Sequence, residues 1–180
     1  KRKFEAESPN EIWQSDIMHG PRARINGVNK KTYLHAIMDD CSRFIIHAQF
    51  CTSERLEAFK ACLQKAVEKR GLPQKLYVDN GACYSAINLD QITACLGIGL
   101  KHSRPYTPQG RGKIERWFRT VRESFLPLHP LILKLEKLNH QLEQWVDEYN
   151  NKVHSSLGIS PFEKYRKNLE CVRPAPPNLI

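Results

Sequence analysis

Three extended apolar runs in succession, followed by one helix and a fourth short run, restrict the fold of this chain more than any other feature. Residues 12–19 (IWQSDIMH) alternate so that Trp13 and Ile17 share one face and Ile12, Asp16 and Met18 the other, which is the period of a strand. The stretch PRARINGVNK contains Asn26-Gly27, a two-residue hairpin signal, and leads to a second strand, TYLHAIM, over 32–38. DDCS at 39–42 reads as another turn, and RFIIHAQF at 43–50 as a third strand. Three antiparallel strands in a row are the economical arrangement.

Ser53 then offers an N-cap with Glu54 in the first turn, and Leu56, Phe59, Cys62, Leu63, Ala66 and Val67 recur at helical spacing. Gly71 and Pro73 stop this helix, and LYV (76–78) follows at once. Strand, helix and strand make a crossover whose strands should lie parallel. Asp79 therefore falls at the carboxyl end of a parallel strand, where open sheets of this kind bind ligands. A shorter helix over 88–96, a strand over 99–103 and the Pro- and Gly-rich loop PYTPQGRG come next. In the following helix Ile114, Trp117, Phe118, Val121 and Phe125 fall within an arc of about 100°, a core-facing stripe, and Glu115 lies just beyond its edge. A long helix over 131–150 carries Leu131, Leu135, Leu138, Leu142, Trp145 and Tyr149, a stripe suited to packing on the sheet. Ser160-Pro161 opens a short closing helix.

At 180 residues and 41% hydrophobic, the chain can bury one good core. Residues 1–10 read as a loose basic lead-in, 11–167 as the folded core, and 168–180 as a tail or linker toward a further domain. The formal charge is +9, and residues 101–125 alone supply +5 of it, through Lys101, Arg104, Arg111, Lys113, Arg116, Arg119 and Arg122 set against Glu115 and Glu123. Such a concentrated field points to a polyanion partner; a merely solubilising surface mixes both signs. The six cysteines form no CxxC pair and none has a histidine at zinc-finger spacing, so they read as small core residues of a reducing compartment. No apolar run approaches the roughly 20 residues that span a bilayer, which places the chain in the cytoplasm, at the nucleoid if its partner is DNA.

Three acids stand in awkward places: Asp16 in an apolar strand, Asp79 at a strand end and Glu115 at the rim of a helix stripe. If they converge, they make an oxygen-only cage suited to Mg²⁺ or Mn²⁺. Residue chemistry alone leaves ordinary alternatives open for each. Asp16 can pair with an Arg or Lys, Asp-Asn-Gly is a good turn whatever the function, and Glu115 can pair with Arg119 at i+4 or Arg111 at i−4. Asp39 and Asp40 compete as ligands, but turn chemistry with Ser42 and Arg43 accounts for them.

Read together, EIWQSDIM, YVDNGACYS and RPYTPQGRGKIERWFRTVRESFL resemble the three motif blocks of the retroviral-integrase catalytic core family, which includes many insertion-sequence transposases. Thirty-five residues separate Asp79 from Glu115, matching the D,D(35)E signature of that family, and YNNKVHSSLGISPFEKY resembles the segment that closes the core in insertion-sequence members. The likeness runs over about residues 10–167. One departure is the interval of 62 residues between Asp16 and Asp79, longer than in retroviral members, which the Asn26-Gly27 hairpin can absorb.

The resemblance implies an α/β, ribonuclease-H-like fold: a five-stranded mixed sheet with helices on both faces and the three acids at one edge. It implies a polynucleotidyl transferase that cuts and joins DNA, with Asp16, Asp79 and Glu115 as catalytic residues and as ligands of two Mg²⁺ or Mn²⁺ ions. Asp16 would bridge both ions, Asp79 completing one site and Glu115 the other. Arg111, Lys113, Arg119 and Arg122 would hold backbone phosphates, and Tyr106 and Gln109 would contact bases or the distorted strand. The expected partners are DNA, as element ends and target, and further copies of the same chain. A nuclease that hydrolyses without joining, and an assembly module without catalysis, are the alternatives; retention of all three acids argues against the second.

Overall fold

The computed structural model describes residues 5–81, 84, 87–103, 110–129, 131–167 and 172–176. Five strands form one mixed sheet: β1 (Ile12–Ile25), β2 (Val28–Asp39), β3 (Ile45–Cys51), β4 (Lys75–Val78) and β5 (Gly99–His102), in the order β3-β2-β1-β4-β5. β1 is central. It pairs antiparallel with β2 and parallel with β4, and β4 pairs parallel with β5. The crossover between β3 and β4 runs through α1 (Leu56–Arg70), and α2 (Ile87–Cys95) joins β4 to β5. α3 (Gly112–Thr120), α4 (Leu135–Asn151) and α5 (Pro161–Arg166) complete the chain.

The strand period sorts side chains into two cores, one on each face of the sheet. Trp13, Ile37, Leu76 and Val78 point to the face covered by α1, α2 and α5. Met18, Leu34, Ala36 and Met38 point to the face covered by α3 and α4. On β1, Asp16 has the parity of Met18 and therefore looks toward the α3 layer. This is the five-stranded, two-faced arrangement that the motifs imply.

The first hairpin is longer than the apolar pattern suggests. β1 runs on to Ile25 and β2 starts at Val28, so the charged stretch around residues 22–31 is strand and not loop. Hydrophobic alternation misses it because much of it lies exposed. Asn26 and Gly27, at φ 49° and 78°, make the two-residue turn that two positive φ values require. A register shift between His19 and Arg22 admits Pro21, which cannot donate to the ladder.

Two helix starts also move. α1 begins at Leu56 with Arg55 at the N-cap; Ser53 Oγ instead accepts the N–H of Arg55 at 3.0 Å, so Glu57 and not Glu54 occupies the first turn. α4 begins at Leu135 because the segment before it lies along the far end of β1, where Arg24 N–H donates to Leu133 O at 2.8 Å. Leu131 is consequently 78% exposed and not part of the packed stripe. The closing helix starts where Ser160-Pro161 places it, with Ser160 and Glu163 forming a reciprocal capping box.

α3 is held by its apolar stripe. Ile114, Trp117, Phe118, Val121 and Phe125 are all buried, the last two on a π-type turn (Val121–Phe125) that continues the helix. Each such side chain contributes about 1.5–3 kcal/mol on burial, which fixes the rotation of the helix and with it the position of Glu115. At the opposite edge of the sheet, α4 covers the outer side of β3. Asn150 bonds the N–H and C=O of Ile45 at 2.9 and 3.1 Å, and Asn139 those of Phe50 at 2.7 and 3.0 Å. These amides replace the missing neighbour strand.

Residues 5–10 are pinned and not loose: Ala6 and Asn10 are buried, and their N–H groups donate to Asp40 and Asp39. Among the described cysteines, Cys41 and Cys62 are buried, Cys51 is half-buried and Cys95 is exposed, and none is in a disulfide. No helix among the described residues is long and apolar enough to cross a membrane.

Candidate active site

The register of the parallel strands brings the two aspartates to one level. Gln14 of β1 pairs with Tyr77 of β4, and Asp16 and Asp79 each stand two residues beyond that pair. There β4 ends and β1 continues alone beside β2, so the two carboxylates flank the notch where the strands part. A cleft of about 700 Å³ opens at this notch, lined by Asp16, Ile17, Asp79, Tyr84 and, from the segment leading into α1, Glu54 and Arg55.

Asp16 is 7% exposed and accepts the N–H of Ile17 at 2.9 Å. Burial pushes its carboxyl above the ordinary value of 3.8; Arg111 and the Ile17 N–H offset part of this, and Asp79 adds to it. Asp79 folds back on its own turn, accepting the N–H of Gly81 at 2.8 Å. A side chain at position 81 would meet that same carboxylate oxygen at 2.8 Å and push it aside, so glycine there leaves the Asp79 carboxylate its place. Asn80 braces the turn from outside by donating to Ser103 O at 2.9 Å. Glu115 comes from the first turn of α3 with its side chain 52% exposed.

All three acids meet at one cation. Arg111, at the N-cap of α3, directs each of its three guanidinium nitrogens to a different carboxylate. One terminal nitrogen lies 2.7 Å from Asp16 Oδ2, the other 3.5 Å from Asp79 Oδ2, and Nε lies 4.0 Å from Glu115 Oε1. Among the described residues, no three acidic, histidine or cysteine side chains are gathered closely enough to hold a metal ion as they stand. The acids are thus assembled around the guanidinium, not as a finished cage.

The other expected site residues divide. Lys113 does not face outward: its ammonium lies 2.9 Å from Asp40 Oδ2, donates to Asp40 O at 2.8 Å and reaches Glu5 at 3.6 Å. It anchors α3 to the β2–β3 turn, a role its sequence neighbourhood did not signal because Asp40 is 73 residues away. Arg119 is 62% exposed beside Glu123, and Arg122 is exposed with its guanidinium on Met18 Sδ at 3.0 Å. Tyr106 and Gln109 lie outside the described residues. The contact of Arg111 with Glu115 was visible as an i−4 spacing; its reach to Asp16 and Asp79 was not.

Comparison with known proteins identifies the family and the fold. An integrase core domain model matches residues 6–108, and a second integrase core domain model matches 96–161. The chain is 29% identical to the transposase for transposon Tn552 of Staphylococcus aureus over 91% of its own length and 39% of that protein's. It therefore spans less than half of that curated relative. Among solved structures, a chain of the simian T-cell lymphotropic virus intasome in complex with the PP2A regulatory subunit B56 gamma superposes with a TM-score of 0.77 at 21% identity, covering 98% of this chain and 62% of that one. The HTLV-2 integrase catalytic core domain in complex with magnesium gives 0.69 at 18%, covering 92% of this chain and 100% of that one. These neighbours share the ribonuclease-H-like fold. With the family match covering more than half of the chain, and the acids standing where the strand ends and the α3 layer bring them together, the protein belongs to the integrase core domain family.

Proposed function

We propose that this chain is the catalytic core of a DNA transposase or integrase, which cleaves phosphodiesters with divalent metal and transfers the freed end to target DNA. The observation that carries this reading is the convergence of Asp16, Asp79 and Glu115 on a single cationic group. Three carboxylates from a central strand, a neighbouring strand end and a crossing helix offer only oxygen donors, the set that suits Mg²⁺ or Mn²⁺. Burial pushes the Asp16 carboxyl upward even with Arg111 beside it, so a divalent ion there would offset its desolvation further. Bound there, two such ions would activate the attacking oxygen and neutralise the leaving one.

The residues of the chain then have distinct tasks. Asp16 is held on the central strand by its pairing with Ala36 of β2. Asp79 is oriented by its own turn, and Glu115 approaches from the opposite layer on an exposed surface that DNA can reach. Water attacks a phosphodiester at the element end and the 3′ oxygen leaves as a hydroxyl. That hydroxyl next attacks a phosphodiester of the target, displacing its 3′ oxygen and joining the strands. Arg119 and Arg122, exposed on the adjoining turns of the α3 layer, are placed to hold backbone phosphates, which position DNA without reading it. Tyr106 and Gln109 retain their proposed role on the DNA strand, and the working form is a multimer of this chain on DNA.

The test is nicking of supercoiled plasmid by the purified chain in Mn²⁺, followed by joining of a pre-nicked terminus to target. Asp79→Asn should lower nicking by about a thousandfold or more with an unchanged melting curve. Undiminished nicking in that variant would end the reading, and nicking without any joined product would reduce it to a nuclease.

A further inference from the structure

The guanidinium at the centre of the acids sits where their charge is most concentrated, and it is a poor permanent partner for them. Of its three contacts, only that with Asp16, at 2.7 Å, is within ordinary hydrogen-bond range. The Asp79 contact is 3.5 Å, and Nε, 4.0 Å from Glu115, is buried without a hydrogen-bond partner among the described residues. A guanidinium finding its final place on carboxylates normally engages them by two parallel short bonds. Here one planar cation is shared among three acids and fits one of them.

Its attachment to the chain is suited to departure. Arg111 has glycine on both sides: Gly110 at φ 125°, and Gly112, where an added Cβ would touch nothing within 4 Å. The side chain can swing without dragging a neighbouring side chain or unpacking α3, whose hold on the core begins at Ile114. Lys113, fixed on Asp40, keeps the first helical turn in place meanwhile.

We propose that Arg111 is a built-in counter-ion of the acidic triad, which keeps Asp16, Asp79 and Glu115 together before metal arrives and which metal must displace in order to bind. This rests on the metal reading above. A divalent ion carries twice the charge and approaches carboxylate oxygens more closely than an N–H donor does, so it wins at sufficient concentration. Until then the guanidinium raises the concentration needed for loading. Arg111 can serve a DNA phosphate only after it has left the acids, so loading of metal and engagement of this arginine on DNA become one event.

The experiment is calorimetric titration of the purified chain with Mn²⁺ at neutral pH, with thermal melts recorded with and without Mn²⁺. Arg111→Gln should bind Mn²⁺ about tenfold more tightly than the wild type. Its metal-free melting temperature should fall, and saturating Mn²⁺ should raise it by more than in the wild type. Arg111→Lys, which keeps the charge and loses the fork, should lie between. Equal or weaker binding by Arg111→Gln overturns the proposal and leaves the metal reading standing, as long as Asp79→Asn weakens Mn²⁺ binding. Failure of both wild type and Arg111→Gln to bind Mn²⁺ overturns the metal reading and this proposal with it. If Arg111→Gln does not fold, Arg111→Lys decides: tighter binding than wild type supports the counter-ion, and equal or weaker binding removes it.

Discussion

Asp39 and Asp40, in the turn between β2 and β3, are buried more deeply than Asp16 and Asp79, yet the fold treats the two groups of acids in opposite ways. Asp39 accepts the N–H groups of Asn10 and Ser42 and the Ser42 hydroxyl, all within 2.8 Å. Asp40 accepts Ala6 N–H and the Gln14 amide and pairs with Lys113. Asp39 takes its donors from backbone or a short serine, and Asp40 combines a backbone N–H with the buried Gln14 amide and Lys113, so both aspartates are held in one arrangement. Among the described residues, the triad receives the Ile17 and Gly81 N–H groups and a shared guanidinium. The structural pair is surrounded by its own donors, whereas the acids proposed to hold metal keep oxygens to give. The first turn of α3 serves both groups, with Arg111 reaching the triad and Lys113, two residues on, reaching Asp40.

The largest effect that tests this contrast comes from Lys113→Met. It leaves Asp40, fully buried, without its cationic partner, and should cost roughly 3 to 4 kcal/mol of folding stability, since a broken buried pair strands a charge. Urea melts check this, and a loss below about 1 kcal/mol would show that Ala6 and Gln14 alone satisfy Asp40. Because Lys113 also places α3, the variant should weaken nicking as well, but in proportion to the folded fraction.

Why the two groups looked alike in the sequence follows from where their partners lie. Asp39-Asp40 followed by Ser42 reads as a turn, and the Ser42 bonds to Asp39 are that turn. The rest of their support comes from Ala6, Asn10, Gln14 and Lys113, distant in sequence and brought close only by the sheet. Asp16 and Asp79 were legible because strand parity and a strand-end position are local patterns and each falls in a motif block that resembles the family; the register that puts the two at one level pairs distant segments and was not. The stripe from Ile114 to Phe125 likewise predicted the face that α3 buries. Hydrophobic alternation was blind to the outer half of the first hairpin, where both strand faces carry polar side chains. It also could not show that residues 131–134 lie along β1 and so delay α4, since that depends on a backbone bond from Arg24 to Leu133.

A second effect, of about 2 to 3 kcal/mol, is a pH dependence that Asp39 dominates and Asp16 shares in sign. Burial pushes the Asp39 carboxyl up from 3.8 to about 6, the Ser42 and Asn10 donors holding it lower than burial alone would and Asp40 adding to the rise. The folded-state value exceeds the unfolded one, so between about pH 4 and pH 6 the folded chain binds more protons. Stability from this group is therefore full below the window and declines as pH rises through it. Asp16, raised in the same direction, adds to the slope. Urea melts at intervals from pH 4 to 7 should show the metal-free wild type losing stability relative to Asp39→Asn across this range. Parallel curves for the two proteins would mean that the donors around Asp39 fully offset its burial.

The smallest effect is the most discriminating for the triad. Glu115 is 52% exposed and touches Arg111 only at 4.0 Å, a contact of the kind that contributes little to folding. Its backbone position is set by Ile114, Trp117 and Phe118, not by its carboxylate. Glu115→Gln should therefore change the unfolding free energy by less than about 0.5 kcal/mol. The same substitution removes one of the three carboxylates proposed to hold metal, and should weaken Mn²⁺ binding measurably while α3 stays in place. A destabilisation above about 1 kcal/mol would put Glu115 with Asp39 and Asp40 among the acids that hold the fold, and the division between the two groups would have to be redrawn. Unchanged stability with weakened metal binding places the third acid on the working side of the molecule, the part where the fold assembles charge without satisfying it.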